Sequence, residues 1–202
     1  MEKRRPYRMN ERARSQEETR QKIVEATMHL HEEIGPRATT ISAIAERAGV
    51  QRLTVYRHFA DETAVFQACT AHWLSLNPPP DPQLWSVIED PEARLRTGLG
   101  AMYRYYAATR GMWAASHRDV ADVPALQGPM AEFAAFVGSV AQGLAEAFGG
   151  PDDAGRVHAT VRHALVYPTW ADLEERGLDD EGKVELVLSW VRGARQADGR
   201  RM

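Results

Sequence analysis

The side chains with the most chemistry to offer sit close together. Residues 48–59 read AGVQRLTVYRHF. Gln51, Arg52, Thr54, Tyr56, Arg57 and His58 all carry hydrogen-bonding groups, framed by apolar Val50 and Phe59. Their spacing matches no Walker loop, no HExxH and no GxSxG. They are the residue types that read and grip nucleic acid. Arg pairs bidentately with guanine and Gln with adenine, while hydroxyl and imidazole groups suit phosphate oxygens.

Such side chains need a frame. The surrounding stretch, ATTISAIAERAGVQRLTVYRHF, reads as a short helix over 41–48, a turn at Gly49 and a second short helix from Gln51 to His58. This is the helix-turn-helix pattern. Thr40 is a good N-cap, and its helix start is a phosphate site. Ile41, Ile44, Ala45 and Ala48 face inward, with Ala45 at a close helix crossing. Gly49 supplies a turn conformation that costs other residues free energy. Val50 plugs the corner, and Val55 and Phe59 face the core. That leaves Gln51, Arg52 and Thr54 for base edges at the N-terminal end of the second helix. Tyr56, Arg57 and His58 are placed on phosphate, although Arg57 could also serve a base edge.

The rest of the chain is read from periodicity. Strand signals are nearly absent, so the fold class is all-α. A first helix is expected over 18–34, with Ile23, Ala26, Thr27, Leu30 and Ile34 inward, ending at Gly35-Pro36. Asp61 caps a helix with Val65, Phe66, Cys69 and Trp73 inward. The run NPPPDP, Asn77–Pro82, excludes regular structure and separates two domains. Beyond it, helices are expected over 91–109, 112–119, 124–148, 151–175 and 179–192. The expected organisation is a flexible basic arm over 1–16, a DNA-binding domain over 17–76 and a larger helical domain over 77–202.

Charge agrees with that division. The 202 residues carry 25 Lys and Arg against 28 Asp and Glu. The first 14 residues hold six basic groups, Lys3, Arg4, Arg5, Arg8, Arg12 and Arg14, against two acidic ones. A polyanion would therefore meet the N-terminal part. The single cysteine, Cys69, closes no intramolecular disulfide, and the expected compartment is the cytoplasm. No apolar run is long enough to span a membrane, and no signal peptide is expected.

The second domain holds aromatic groups with polar tips, which suit a small-molecule pocket. Candidate lining residues are Met102, Tyr103, Tyr106, Arg110, Trp113, His117, Phe133 and Phe136. Arg104 is a further candidate for polar contact. Enzymatic function is not expected. His158 and His163 lie five apart, about 140° around a helix, so they do not converge on a metal with Asp152, Asp153 or Asp172. No metal and no cofactor are expected. A nonspecific architectural DNA-binding protein would account for the basic arm but not for the acidic, aromatic-rich second domain.

Residues 19–76 resemble the DNA-binding domain of the TetR family of bacterial transcriptional regulators. The resemblance rests on Thr19 and Ile23, Gly35, Thr39-Thr40, Ile44-Ala45, Ala48-Gly49-Val50 and Thr54-x-Tyr56-x-His58-Phe59. Two positions depart from the family pattern. Members usually carry a small residue at Leu53 and often a Lys at Glu62, and a carboxylate there cannot touch phosphate as that Lys would. The resemblance implies an all-helical homodimer on a palindromic double-stranded operator, released by a small-molecule inducer that the sequence does not identify. It also implies a dimer face on the last two long helices, where Val157, Val161, Leu165, Leu186, Val187 and Trp190 are the candidates. Coupling between ligand and DNA is expected through the helix over 61–76.

Overall fold

The computed structural model describes residues 4–148 and 154–196. Among them are eleven α-helices, one 3-10 turn and no strand. The chain divides into two compact units. One comprises Met1–Pro78 with Ala114–Pro129, the other Pro79–Trp113 with Met130–Met202. The first crossing falls in the proline run marked by the sequence. The segment 114–129, expected in the second domain, groups with the N-terminal bundle.

The first unit opens with α1, Arg4–Glu33. This helix begins well before residue 18, where apolar periodicity starts. Residues 7–17 contain no proline or glycine, and Arg14 pairs with Glu18 one turn on at 3.0 Å. Local propensity and i,i+4 pairing extend a helix where no core contact demands one. The segment read as an arm is thus helical from Arg4 onward, while Lys3 lies outside the described residues. Ile23, Ala26, Thr27 and Leu30 are buried, as is Val24. Ile34 is not inward, with 45% exposure, because α1 ends one residue before it.

A 3-10 turn, Pro36–Ala38, leads to α2, Ile41–Ala48, and α3, Arg52–His58. The fourth helix, α4, spans Glu62–Leu76. Its N-cap is Asp61, whose carboxylate accepts from the Ala64 N–H at 2.8 Å. Val65, Phe66, Cys69 and Trp73 are buried on its inner side. The core of this bundle joins α1, α2, α3 and α4 through Ile23, Leu30, Ile44, Val55, Phe59 and Phe66, with Val123 and Ala125 packed against it.

The second unit contains α5, Gln83–Ser86, and α6, Pro91–Ala108. Helices α7, Arg110–Asp119, and α8, Pro124–Glu146, contribute to both units. In α8 the division falls at Pro129, which lacks an N–H and crowds the preceding turn. Then come α9, Ala154–Leu165, α10, Tyr167–Glu175, and α11, Asp180–Gln196.

The sequence reading placed one helix over 151–175, starting at Pro151-Asp152-Asp153. That start lies outside the described residues. The remainder is two helices parted at Val166, whose ψ of 142° is extended. The cause is Pro168, in the first turn of α10. In a continuous helix its ring would clash with the Ala164 carbonyl. The freed carbonyls are taken up by α6: Tyr103 Oη donates to Ala164 O at 3.0 Å, and Tyr106 Oη to Leu165 O at 2.8 Å.

Candidate nucleic-acid interface

The turn between α2 and α3 is built from backbone. Thr40 Oγ1 accepts the Ala43 N–H at 3.2 Å and so starts α2. At its other end Gly49 is left-handed, with φ 68° and ψ 34°. Gly49 N–H donates to Glu46 O at 3.1 Å, and Val50 N–H to Ala45 O at 2.9 Å. This is a Schellman termination. It turns the chain at once into α3, with Gln51 as an extended N-cap residue whose side chain makes no capping bond.

The inward residues match the sequence reading. Ala45, Val55 and Phe59 are buried, and Val50 packs against the core in part. Arg20 of α1 lies over the Phe59 ring, 4.9 Å from its centroid. The opposite face is unspent. Gln51, Arg52, Tyr56 and Arg57 are exposed, while Thr54 and His58 are half-buried. Tyr56 is 46% exposed. Among the described residues, none of these six side chains has a hydrogen bond or ion pair within the chain. Two cations, a phenol, an imidazole and an amide on one short helix form a donor-rich surface. Glu62 is exposed in the first turn of α4, where it offers negative charge.

A charged joint holds the turn after α1 within the same unit. Gly35 has φ 89° and ψ 157°, a region essentially confined to glycine. Asp119, at the end of α7, accepts the Arg37 N–H at 3.1 Å and the Arg118 Nε at 2.8 Å. Arg37 also pairs with Asp122 at 3.0 Å. The Arg118 guanidinium and these N–H groups hold the Asp119 carboxyl below its ordinary range. A Cβ on Gly35 would lie 1.9 Å from Arg118 Nη2 and 2.4 Å from Asp119 Oδ2, so the joint closes only over a glycine. Next to this region His31 is buried, with Nδ1 3.7 Å from Cys69 Sγ and its ring edge-on to Phe66. Burial lowers its pKa to about 4, with the Asp119 charge opposing, and pushes the Cys69 thiol up to about 12. Cys69 was expected inward, but His31 was not marked by sequence patterning, because an isolated His on an apolar helix face gives no periodic signal.

In the second unit, most of the expected pocket residues converge. Met102, Tyr103, Tyr106 and Trp113 are buried, and Phe133 and Phe136 are half-buried. Tyr106 lies 6.0 Å from Trp113 and 6.3 Å from Phe133, ring to ring. Trp113 and Phe133 approach to 4.2 Å. The cluster also takes in Tyr105, Tyr167 and Trp170, which the sequence reading left out of it. The Tyr167-Pro168 break brings the latter two to Tyr106. Two expected members fall elsewhere. Arg110 is exposed, and His117 belongs to the first unit. The hydroxyls of Tyr103 and Tyr106 are bound to helix carbonyls, so their polar tips serve the fold. Arg162 of α9 carries a buried Nη1 with no hydrogen-bond partner among the described residues.

The candidate dimer face divides similarly. Val157, Val161, Leu165 and Val187 are buried within the chain, where α11 packs on α9 and α6. Leu186 and Trp190 keep part of their surface exposed. Among the described residues no three His, Cys, Asp or Glu groups gather for a metal, and no helix is long and apolar enough to cross a membrane.

The geometry defines a class: a helix-turn-helix DNA-binding domain with its recognition face open, followed by a helical second unit. Residues 23–69 match the bacterial regulatory proteins of the tetR family. Over these residues the chain carries a domain of the tetR-family type. Several solved structures share its all-helical fold. A TetR-like transcriptional regulator from Rhodococcus sp. RHA1 is 18% identical, covers 91% of this chain and 97% of its own, and gives a TM-score of 0.61. NalD of Pseudomonas aeruginosa, the secondary repressor of the MexAB-OprM multidrug efflux pump, is 22% identical over 89% and 96%, with a TM-score of 0.55. A TetR transcription regulator from Haloarcula marismortui is 15% identical over 90% and 98%, with a TM-score of 0.56. No curated protein matches the chain.

Proposed function

We propose that this chain is a homodimeric, operator-binding repressor that a small molecule releases from DNA. The observation that carries the reading is the outward face of α3. It exposes Gln51, Arg52, Tyr56 and Arg57 with no partner among the described residues, while Val55 and Phe59 anchor its other side. Gln51, Arg52 and Thr54 read base edges. Thr40, Tyr56, Arg57 and His58 contact phosphate. Such a protein acts in the cytoplasm, where the operator is.

A two-fold operator needs two recognition helices about 34–36 Å apart, which one chain does not supply. The half-exposed Leu186 and Trp190 on α11 support pairing of this helix with its mate. The half-buried Phe133 and Phe136, at the margin of the aromatic cluster, support an apolar or aromatic ligand in the second unit.

The test is anisotropy titration of the full chain against DNA enriched from a random duplex library, with excess competitor. Saturable binding of one dimer per palindromic site is expected. Arg52→Ala should cost about 1–3 kcal/mol of base discrimination. Binding that titrates away with competitor would overturn the reading.

A further inference from the structure

The outward face of α3 carries one side chain with nothing polar to offer. Leu53 is 59% exposed, although the helix around it is otherwise rich in hydrogen-bonding groups. Single exposed leucines are common on protein surfaces. This one has a particular position. It lies two residues before Val55, which is fully buried, and so about 160° around the helix from the anchoring side. Tyr56 and Arg57 follow it at i+3 and i+4, on the same outward face. Leu53 thus stands near the crest of the helix, between Arg52 and the phosphate-contacting residues.

A crest residue of a helix lowered into the major groove meets base edges first. A leucine there loses water and can form no hydrogen bond. In the major groove the one apolar group on a base edge is the thymine C5-methyl. Against cytosine, the same side chain would cover an amino donor without replacing its hydrogen bond, which costs free energy. We infer that Leu53 is a specificity-determining residue that reads a thymine methyl in each half-site and disfavours cytosine at that position. This deepens the operator-binding reading and rests on it. It also gives a role to a residue larger than the family pattern carries.

The experiment uses the full-length protein and an operator enriched from a random duplex library. Each thymine of one half-site is replaced in turn by uracil, which removes only the methyl group. For the wild-type chain, one such replacement should weaken binding roughly three- to fivefold, the equivalent of one buried methyl group. For Leu53→Ala the same replacement should change affinity less than about 1.5-fold, while Tyr56→Phe should keep the wild-type sensitivity. Circular dichroism melts confirm that the exposed Leu53→Ala site leaves the fold intact. If no thymine methyl distinguishes wild type from Leu53→Ala, the inference is overturned although the operator reading stands. If no sequence is enriched at all, the operator reading itself fails, and this one with it.

Discussion

Tyr56 and Tyr106 are the same residue type in helices of the same chain, and they are used in opposite ways. Tyr56 on α3 is 46% exposed, and its hydroxyl meets no partner among the described residues. Tyr106 on α6 is fully buried, and its hydroxyl is bound to the Leu165 carbonyl. The difference follows from what each helix packs against. Val55 anchors α3 with Phe59 just beyond its end, while Arg52, Leu53, Tyr56 and Arg57 stay in water. The partners of α6 include a helix pair broken by a proline, whose carbonyls need donors. Exposed hydrogen-bonding capacity is available for a partner, whereas buried capacity has already been spent on folding. The two units differ in the same sense. The first is joined by charges around Gly35 and Asp119 and leaves a face open; the second is closed by rings and hydroxyls.

The largest effect should come from breaking the charged joint. Gly35→Ala places a methyl group on Arg118 and Asp119 in a backbone region reserved for glycine, and should cost about 2–4 kcal/mol in denaturant unfolding. Gly49→Ala is the control: its φ is 68°, but no atom lies within 4 Å of an added Cβ, so a loss of about 1 kcal/mol is expected.

Tyr106→Phe comes next. It leaves the Leu165 carbonyl buried without its donor and should cost about 1–3 kcal/mol, with DNA preference unchanged. Tyr56→Phe should do the reverse, changing stability by less than about 0.5 kcal/mol while weakening operator binding. If both substitutions shifted only stability, the contrast between the two tyrosines would collapse.

A pH titration separates the units further. His31 is held neutral in the folded state down to about pH 4 by burial, with Cys69 and Asp119 as its titratable neighbours. Unfolding therefore takes up a proton between about pH 6.5 and pH 4. Stability should be fully present above pH 6.5 and fall as the pH drops through that window. His31→Gln should flatten the slope there by up to one proton; an unchanged slope would remove His31 as its source.

The smallest change is expected at Arg162. Its Nη1 is buried without an acceptor among the described residues. Arg162→Met should change the melting temperature by no more than a few degrees, because the residue is half-buried and Nη1 alone is withdrawn from water without a partner among the described residues. A marked loss of stability would mean that the guanidinium is satisfied in the folded protein.

Much of this protein was legible without coordinates, and the reason is locality. Caps and turns are decided within a few residues, so Thr40, Gly49 and Asp61 mark helix boundaries that the structure reproduces. Inward positions of α2 and α4 follow from a period of 3.6, as does the outward set on α3. The readings that failed depended on partners far along the chain. Pro168 splits one expected helix, and only packing brings Tyr103 and Tyr106 to the carbonyls it frees. Val157, Val161, Leu165 and Val187 read as a face for a second chain, yet they are buried within their own. An apolar stripe specifies that it will be covered, not by what. Likewise Arg110 stands in register with Tyr103 and Tyr106 but is exposed near the end of the packed segment. The sequence determined which groups were offered and where each helix turned. Tertiary packing decided which remained available, because a hydroxyl or a methyl group can be buried against only one neighbour at a time.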